Sequence, residues 1–181
     1  MHLRGLQKKF MLGGVNVKVE LKQVELEERE ILANLLEKFD YEFSQYDGRD
    51  VNKLGLYGYP YLDCYWTDED RCAYFIFVSG KLAGFAMIYN YREEGDPETD
   101  FQISEFFVMY KYRRLGVGKQ AFFQLLDKHK GRCGLKCVSK NVASVRFWDN
   151  VINEHTTGQY KSMKIKSDFP GGVDMFLFDS N

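Results

Sequence analysis

The clearest chemistry in this chain sits in one short run, Arg113-Arg114-Leu115-Gly116-Val117-Gly118-Lys119. An apolar, strand-like stretch, Phe101 to Tyr110, leads into it, and an amphipathic stretch from Lys119 leads out. A chain that passes from strand to helix through such a turn leaves the first helical N–H groups without intrahelical partners. Those donors and the helix dipole attract an anion, and phosphate oxygens fit them well. Gly116 and Gly118 let the main chain approach that anion with no Cβ in the way. Arg113, Arg114 and Lys119 add positive charge at the same place. The run is neither the G-x-x-x-x-G-K-S/T phosphate loop nor the G-x-G-x-x-G dinucleotide fingerprint.

Other residues that could do chemistry are less organised. The histidines, His2, His129 and His155, are scattered, with no H-E-x-x-H pair. Three residues separate Cys133 from Cys137 and seven separate Cys64 from Cys72, so neither pair has C-x-x-C spacing, and no metal site is expected. His129 is expected at a helix end, where the dipole favours its cationic form. Ser104 and Cys64 have no histidine near in sequence to activate them. Acidic side chains gather at Glu93, Glu94, Asp96, Glu98 and Asp100, and again at Asp68, Glu69 and Asp70. They read as solvated loops, or as a rim that draws in a cation. Tyr57, Tyr59, Tyr61, Tyr65 and Trp66 crowd one loop broken by Gly58 and Pro60, either as a lid on the core or as a pocket wall.

The elements that must position these residues follow from periodicity. Alternation from Val15 to Val24 predicts a first strand. Leu26, Ile31, Leu32, Leu35, Leu36 and Phe39 predict an amphipathic helix over Glu25–Phe39, with a further turn or short helix at Tyr41–Tyr46. Ala73–Val78 and Leu82–Tyr89 are strands joined by a tight turn at Ser79-Gly80-Lys81. Phe101–Tyr110 is the strand that enters the glycine turn, and Lys119–Lys130 the helix that leaves it. Cys133–Val138 is a strand, and Asn141–Val151 a helix capped at or near Asn141. Strands near His155–Lys164 and Val173–Asp179 close the chain. This order predicts an α/β (α+β mixed) fold, with a mixed, mostly antiparallel central sheet and helices on both faces.

Bulk properties bound the rest. The 181 residues suit one domain, expected over 15–181, with residues 1–14 a basic, flexible extension. Met11 is a second possible start. Apolar residues make up 45% and aromatic residues 16%, enough for a ring-rich core. Net charge is −1, from 25 basic and 26 acidic side chains, which argues against a nucleic-acid or membrane-surface partner. No apolar run approaches the roughly 20 residues that span a bilayer. Without a signal peptide, four cysteines read as reduced thiols and the chain as cytoplasmic, a monomer or homodimer.

Taken together, Arg113, Gly116 and Gly118, approached by Val108 and Tyr112, resemble the R/Q-x-x-G-x-G/A signature of the GNAT superfamily of N-acetyltransferases. In that family the signature lies between the fourth strand and the third helix. Asn141-Val142-Ala143-Ser144-Val145-Arg146-Phe147-Trp148 matches a second family pattern, an Asn followed by a short helix with small and then aromatic positions. Both matches occur in the family's order, and the element order agrees from about Val15 to Phe178. The chain looks closest to the "predicted acetyltransferase" branch. The resemblance implies acetyl-CoA as acyl donor. It implies that the backbone at Phe107 and Val108 pairs with the pantetheine arm. The N–H groups of Arg114, Leu115, Gly116, Val117, Gly118 and Lys119, with Arg113 beside them, would cradle the pyrophosphate. Asn141, Ser144, Phe147 and Trp148 would lie near the pantetheine or thioester.

Direct transfer to an amine needs a neutral nitrogen, so a base must take the ammonium proton. Glu105 is the candidate, three residues before Val108 and among rings that would raise its pKa. Relatives often place a Tyr, as acid for the thiolate, where this chain has Trp148, and an indole N–H cannot usefully give up its proton. Tyr110, Ser144 or water would then serve, or no acid at all. The expected acceptor is a small-molecule or peptide amine, and the acidic loops and Tyr/Trp-rich segment favour a cationic one. Asp47, Asp63 and Asp68 are further residues for its side of the site. The competing reading is a non-catalytic acyl-CoA-binding sensor or interaction module.

Overall fold

The structure is a computed structural model that describes residues 17–90 and 95–181. The expected extension over 1–14 lies outside the described residues, as do the first residues of the expected first strand and the acidic pair Glu93 and Glu94. Seven strands form one sheet in the order β1-β2-β3-β4-β5-β7-β6. They are β1 (Val19–Gln23), β2 (Cys72–Val78), β3 (Lys81–Tyr89), β4 (Phe101–Val108), β5 (Arg132–Val138), β6 (Tyr160–Ile165) and β7 (Val173–Asp179). All neighbours pair antiparallel except β4 and β5, which run parallel. The helices are α1 (Arg29–Asp47), α2 (Cys64–Thr67), α3 (Val117–Lys128) and α4 (Val142–Thr156).

Alternation along the strands gives the sheet two apolar faces. Ala73, Phe75, Phe85, Met87 and Phe107 pack with Leu32, Leu35 and Leu36 of α1 and Tyr65 of α2. Tyr74, Ala86, Ile88, Ile103, Leu135 and Phe176 pack on the other side, against Phe122 and Leu125 of α3 and Trp148 and Ile152 of α4. Helices on both faces of a mostly antiparallel sheet match the architecture read from the sequence. Each fully buried leucine on α1 contributes about 1.5–3 kcal/mol, so the helix is held chiefly by this stripe.

Several boundaries differ from the periodicity, each for a local reason. α1 runs unbroken to Asp47, because no Gly or Pro interrupts it before Gly48. Gly48, at φ 70°, ends it by donating its N–H to Ser44 O at 2.8 Å. β4 stops at Val108, and Tyr110–Tyr112 tighten into a 3-10 turn. α3 starts two residues earlier than expected, at Val117, whose buried side chain anchors it against Val19 and Ile76. α4 extends to Thr156, so β6 begins only at Tyr160. The loop before β2 contains the short α2. His129 does sit at the end of α3, but burial first and then Lys128 push its pKa down rather than up. Its Nε2 lies 2.9 Å from Tyr74 Oη, and this burial outweighs the dipole.

Candidate active site

β4 and β5 are paired only from Phe101–Ile103 to Cys133–Leu135. Beyond Ile103 they part, which leaves the Ser104–Val108 side of β4 facing an opening rather than a neighbouring strand. The parting coincides with a β-bulge. Met87 stands opposite Glu105 and Ile88 opposite Ile103, so Ser104 is one residue extra on β4. The bulge shifts the alternation of the strand. Ile103 packs on the α3/α4 face. Past it, Glu105 shares a face with its cross-strand partner Met87, on the α1 side. Ser104 reaches the same side, where its Oγ lies 2.9 Å from Tyr65 Oη. Ser104 gives its one proton to Met87 O at 3.1 Å, so Tyr65 is the donor to Ser104.

Glu105 is thereby held among rings. Tyr59 Oη donates to its Oε1 at 3.3 Å. Burial, and secondarily the charge of Asp40, push its pKa up to about 8, with Tyr59 and Arg49 pulling the other way. The loop that supplies Tyr59 is fixed to α1 by Glu37, whose carboxylate accepts the N–H groups of Tyr57 and Gly58 at 2.9 and 2.8 Å. So the Tyr-rich segment is one wall around Glu105. Tyr59 also packs edge-on against Tyr61, 6.5 Å between centroids.

The glycine turn follows at the open end of the split. Gly116 takes φ 76° and forms the N-cap of α3, with no side chain capping the helix. The first intrahelical bond is from Gln120 N–H to Gly116 O at 3.1 Å. The N–H groups of Val117 and Gly118 precede that bond and point out of the helix end. A Cβ on Gly116 would have Gln120 Nε2 as its nearest neighbour, 4.0 Å away, so the space before the helix is open. Arg114, exposed, also has a positive φ, 63°, a conformation that costs a non-glycine residue about 1 kcal/mol. Gly118 has a different reason to be glycine, since a Cβ there would lie 3.1 Å from Phe147 Cζ. Its absence lets α4 approach the start of α3.

The side chains expected here divide by task. Arg113 donates from Nε to Val108 O at 2.7 Å and from Nη2 to Glu42, and lies over the rings of Phe107 and Tyr110. It braces the turn from behind. Leu115 is exposed and Val117 buried. Lys119 pairs with Glu154 at 2.6 Å. Asn141, three residues beyond the end of β5, caps α4 by accepting the Ser144 N–H at 3.1 Å. Its N–H bonds Val138 O, so it sits on the β5 side of the split. Phe147 stacks near Phe106, while Trp148 is 6% exposed and packs edge-on against Phe106 and Phe122.

Asp47, Asp63 and Asp68 each hold an arginine, Arg49, Arg29 and Arg71 respectively. Two acids of the loop before β4 are also engaged, Asp96 with Lys136 and Asp100 with the N–H of Arg132. The carboxylate that instead couples to Glu105 is Asp40, on α1, together with Arg49. Sequence patterning had no means to single it out among the many acids of that helix. A shallow hollow of about 470 Å³, lined by Arg132, Tyr160, Lys161 and Phe178, lies toward the end where β4 and β5 are still joined, away from these groups. Among the described residues, no three His, Cys, Asp or Glu side chains are grouped to hold a metal, and no helix is long and apolar enough to cross a membrane.

Comparison with known proteins agrees with this geometry. Residues 30–151 match the family model described as the acetyltransferase (GNAT) family. No curated protein sequence matches the chain. Among solved structures, an acetyltransferase from Thermus thermophilus superposes with a TM-score of 0.63 at 14% identity, covering 89% of this chain and 96% of its own. A spermidine N-acetyltransferase from Vibrio cholerae, in complex with CoA and spermine, gives 0.60 at 10% identity, covering 90% and 95%. An aminoglycoside acetyltransferase in complex with coenzyme A gives 0.61 at 14% identity, covering 90% and 95%. With the signature turn, the split sheet and the matched span in agreement, the chain belongs to the acetyltransferase (GNAT) family and is an acyltransferase whose acyl donor is acetyl-CoA.

Proposed function

We propose that this protein transfers the acetyl group of acetyl-CoA directly to the nitrogen of a primary amine that is cationic in solution, with Glu105 as base. The observation that carries this reading is the half-buried carboxyl of Glu105, held by Tyr59 and aimed by the Ser104 bulge to the α1 side of β4, where the strand leaves β5. The Val117 and Gly118 N–H groups suit the diphosphate, and the open space before Gly116 gives it room. The free side of β4 beyond Ile103 suits the amides of the pantetheine arm. Bound acetyl-CoA supplies the activated acyl group.

The chain's own residues do the rest. Glu105 takes a proton from the acceptor ammonium, which frees the nitrogen lone pair for the new C–N bond. Tyr59 holds Glu105 by its Oε1. The surrounding rings limit water at the base. Trp148 is a core residue whose indole N–H is too weak an acid to release its proton, so the departing thiolate draws its proton from elsewhere, and solvent suffices. Relatives named for spermidine and for aminoglycosides support an amine acceptor.

The test is acetyl-CoA consumption, read as free thiol, across polyamines, aminoglycosides, amino acids and peptides. Turnover with an amine that Glu105→Gln abolishes supports the assignment. Calorimetric binding of acetyl-CoA with no turnover on any amine would make the protein a binding module instead.

A further inference from the structure

The buried face of α1 runs Leu32, Leu36, Asp40, and the third position breaks the apolar stripe with a carboxylate. Asp40 is 1% exposed and follows Phe39, which packs against the ring-rich core on this side of the sheet. Its Oδ1 lies 3.3 Å from Arg49 Nη2, a single off-centre contact. Its Oδ2 is buried with no hydrogen-bond partner. An ionisable group held this way costs stability, and an unsatisfied carboxylate oxygen in the interior costs more than a neutral one. The Phe39 ring packs edge-on against Phe107 on the strand that carries Glu105, and the charge of Asp40 raises the proton affinity of the Glu105 carboxyl. Arg49 acts on both, and Glu37 and Asp47 add negative charge around Asp40.

From this arrangement we propose that Asp40 is the acceptor-binding carboxylate: its Oδ2 accepts an N–H from an ammonium group of the incoming amine, opposite Glu105. The inference rests on the transferase reading above and extends it to recognition. It makes alkylammonium compounds the acceptor class, since carboxylates on α1 and on β4 together favour a group that brings positive charge and several N–H donors. A diamine meets the site best, with one nitrogen delivered to Glu105 and the other retained at Asp40. Arg49 favours the ionised form of Asp40 against its burial without closing it, because its Nε is already given to Asp47 and its guanidinium rests over Phe43. The Oδ2 lone pairs are then satisfied by the substrate's ammonium.

The experiment is calorimetry on the full chain saturated with CoA, with 1,4-diaminobutane as probe and Asp40→Asn and Asp40→Glu as variants. Asp40→Asn is expected to weaken diamine binding by about tenfold or more, the usual size of a charge-assisted hydrogen bond. CoA affinity stays at the wild-type value, the melting temperature does not fall, and Asp40→Glu recovers part of the loss. Diamine binding that is equally tight in Asp40→Asn overturns the proposal, and so does a wild-type protein that ignores the diamine at about 10 mM. A joint fall of melting temperature, CoA affinity and diamine affinity in Asp40→Asn also overturns it, since that marks a structural role. If the wild-type protein binds no CoA at all, the transferase reading falls as well. If it binds CoA and only the Asp40 effect is missing, that reading stands.

Discussion

Arg113 Nη2 donates to both carboxylate oxygens of Glu42, at 2.8 and 2.7 Å, and so ties the glycine turn to α1. The same guanidinium bonds Val108 O through Nε at 2.7 Å. One side chain therefore fixes the end of β4, the start of the turn and a helix that packs on the sheet face away from α3. Both partners are part-exposed, so the pair adds about 1 kcal/mol or less to stability. Its larger effect is on position. Glu42→Ala is expected to leave the melting temperature within a few degrees of wild type while weakening acetyl-CoA binding several-fold, because the Val117 and Gly118 N–H groups lose their fixed aim. Calorimetry against acetyl-CoA checks it, and an unchanged affinity would show that the turn holds its shape alone.

Glu105 sets the expected pH dependence of activity. Only its ionised form accepts a proton, and its pKa stands at about 8. The ratio kcat/KM for the amine should therefore rise through the neutral range and bend near pH 8. Glu105→Gln should remove that limb with a loss of about 100-fold or more. Tyr59→Phe removes the hydrogen bond that favours the charged carboxylate, so the bend should move to higher pH. A bend that stays in place in Tyr59→Phe would mean that the hydroxyl does not reach Glu105 in solution.

What the sequence made legible was local. The turn Arg113–Lys119 announces itself because glycine, arginine and a strand-to-helix switch fall together, and Asn141 because a side-chain cap precedes an amphipathic run. Glu105 stands out as a candidate by type and place. The direction of its side chain does not, because the bulge at Ser104 leaves no pattern in residue type and reverses the alternation that would have placed it. Asp40 was hidden by company. It lies on a helix with Glu30, Glu37, Glu42 and Asp47, and only packing separates the buried acid from the others. Arg113 reads in the sequence as positive charge beside the phosphate turn, and its hold on that turn is not legible there. Its partners, Val108 O and Glu42, lie five and 71 residues away, and only the fold brings Glu42 near.

The raised carboxyls of Glu105 and Asp40 also make stability depend on pH, in the direction opposite to an ordinary ion-paired acid. Glu105 keeps its proton in the folded state up to about pH 8, and Asp40 up to about 6, whereas both release it lower in the unfolded chain. Between those limits the native state binds more protons than the unfolded state, so stability falls as pH rises through the window. Glu105→Gln should therefore match wild type near pH 4 and exceed it at about pH 9. Urea denaturation at the two pH values measures this, and a variant less stable than wild type under the alkaline condition would contradict the high-pKa carboxyl.

Gly116 and Gly118 should fail differently when given a methyl group. Gly116→Ala meets open space but must hold φ 76°, a cost of about 1 kcal/mol or somewhat more. Gly118→Ala has no such conformational demand, but its Cβ arrives 3.1 Å from the Phe147 ring, which must move by a few tenths of an ångström. The ring is stacked near Phe106 and 4.8 Å from Trp148, so the displacement passes into α4. The expected signature is a lowered melting temperature in both variants, with altered aromatic near-ultraviolet dichroism only in Gly118→Ala.

Trp148 separates packing from proton transfer. It is 6% exposed, 5.1 Å from the Phe106 ring and 5.5 Å from Phe122. Trp148→Ala empties a site between α4 and the sheet, and should cost roughly 3–5 kcal/mol in denaturant unfolding. Trp148→Phe keeps most of the volume and removes the indole N–H. If Trp148 serves only the core, Trp148→Phe should lose about 1–2 kcal/mol of stability, with kcat and its pH profile close to wild type. A large fall in kcat at unchanged stability would give the indole a place at the reacting thioester and return it to the catalytic side of the split.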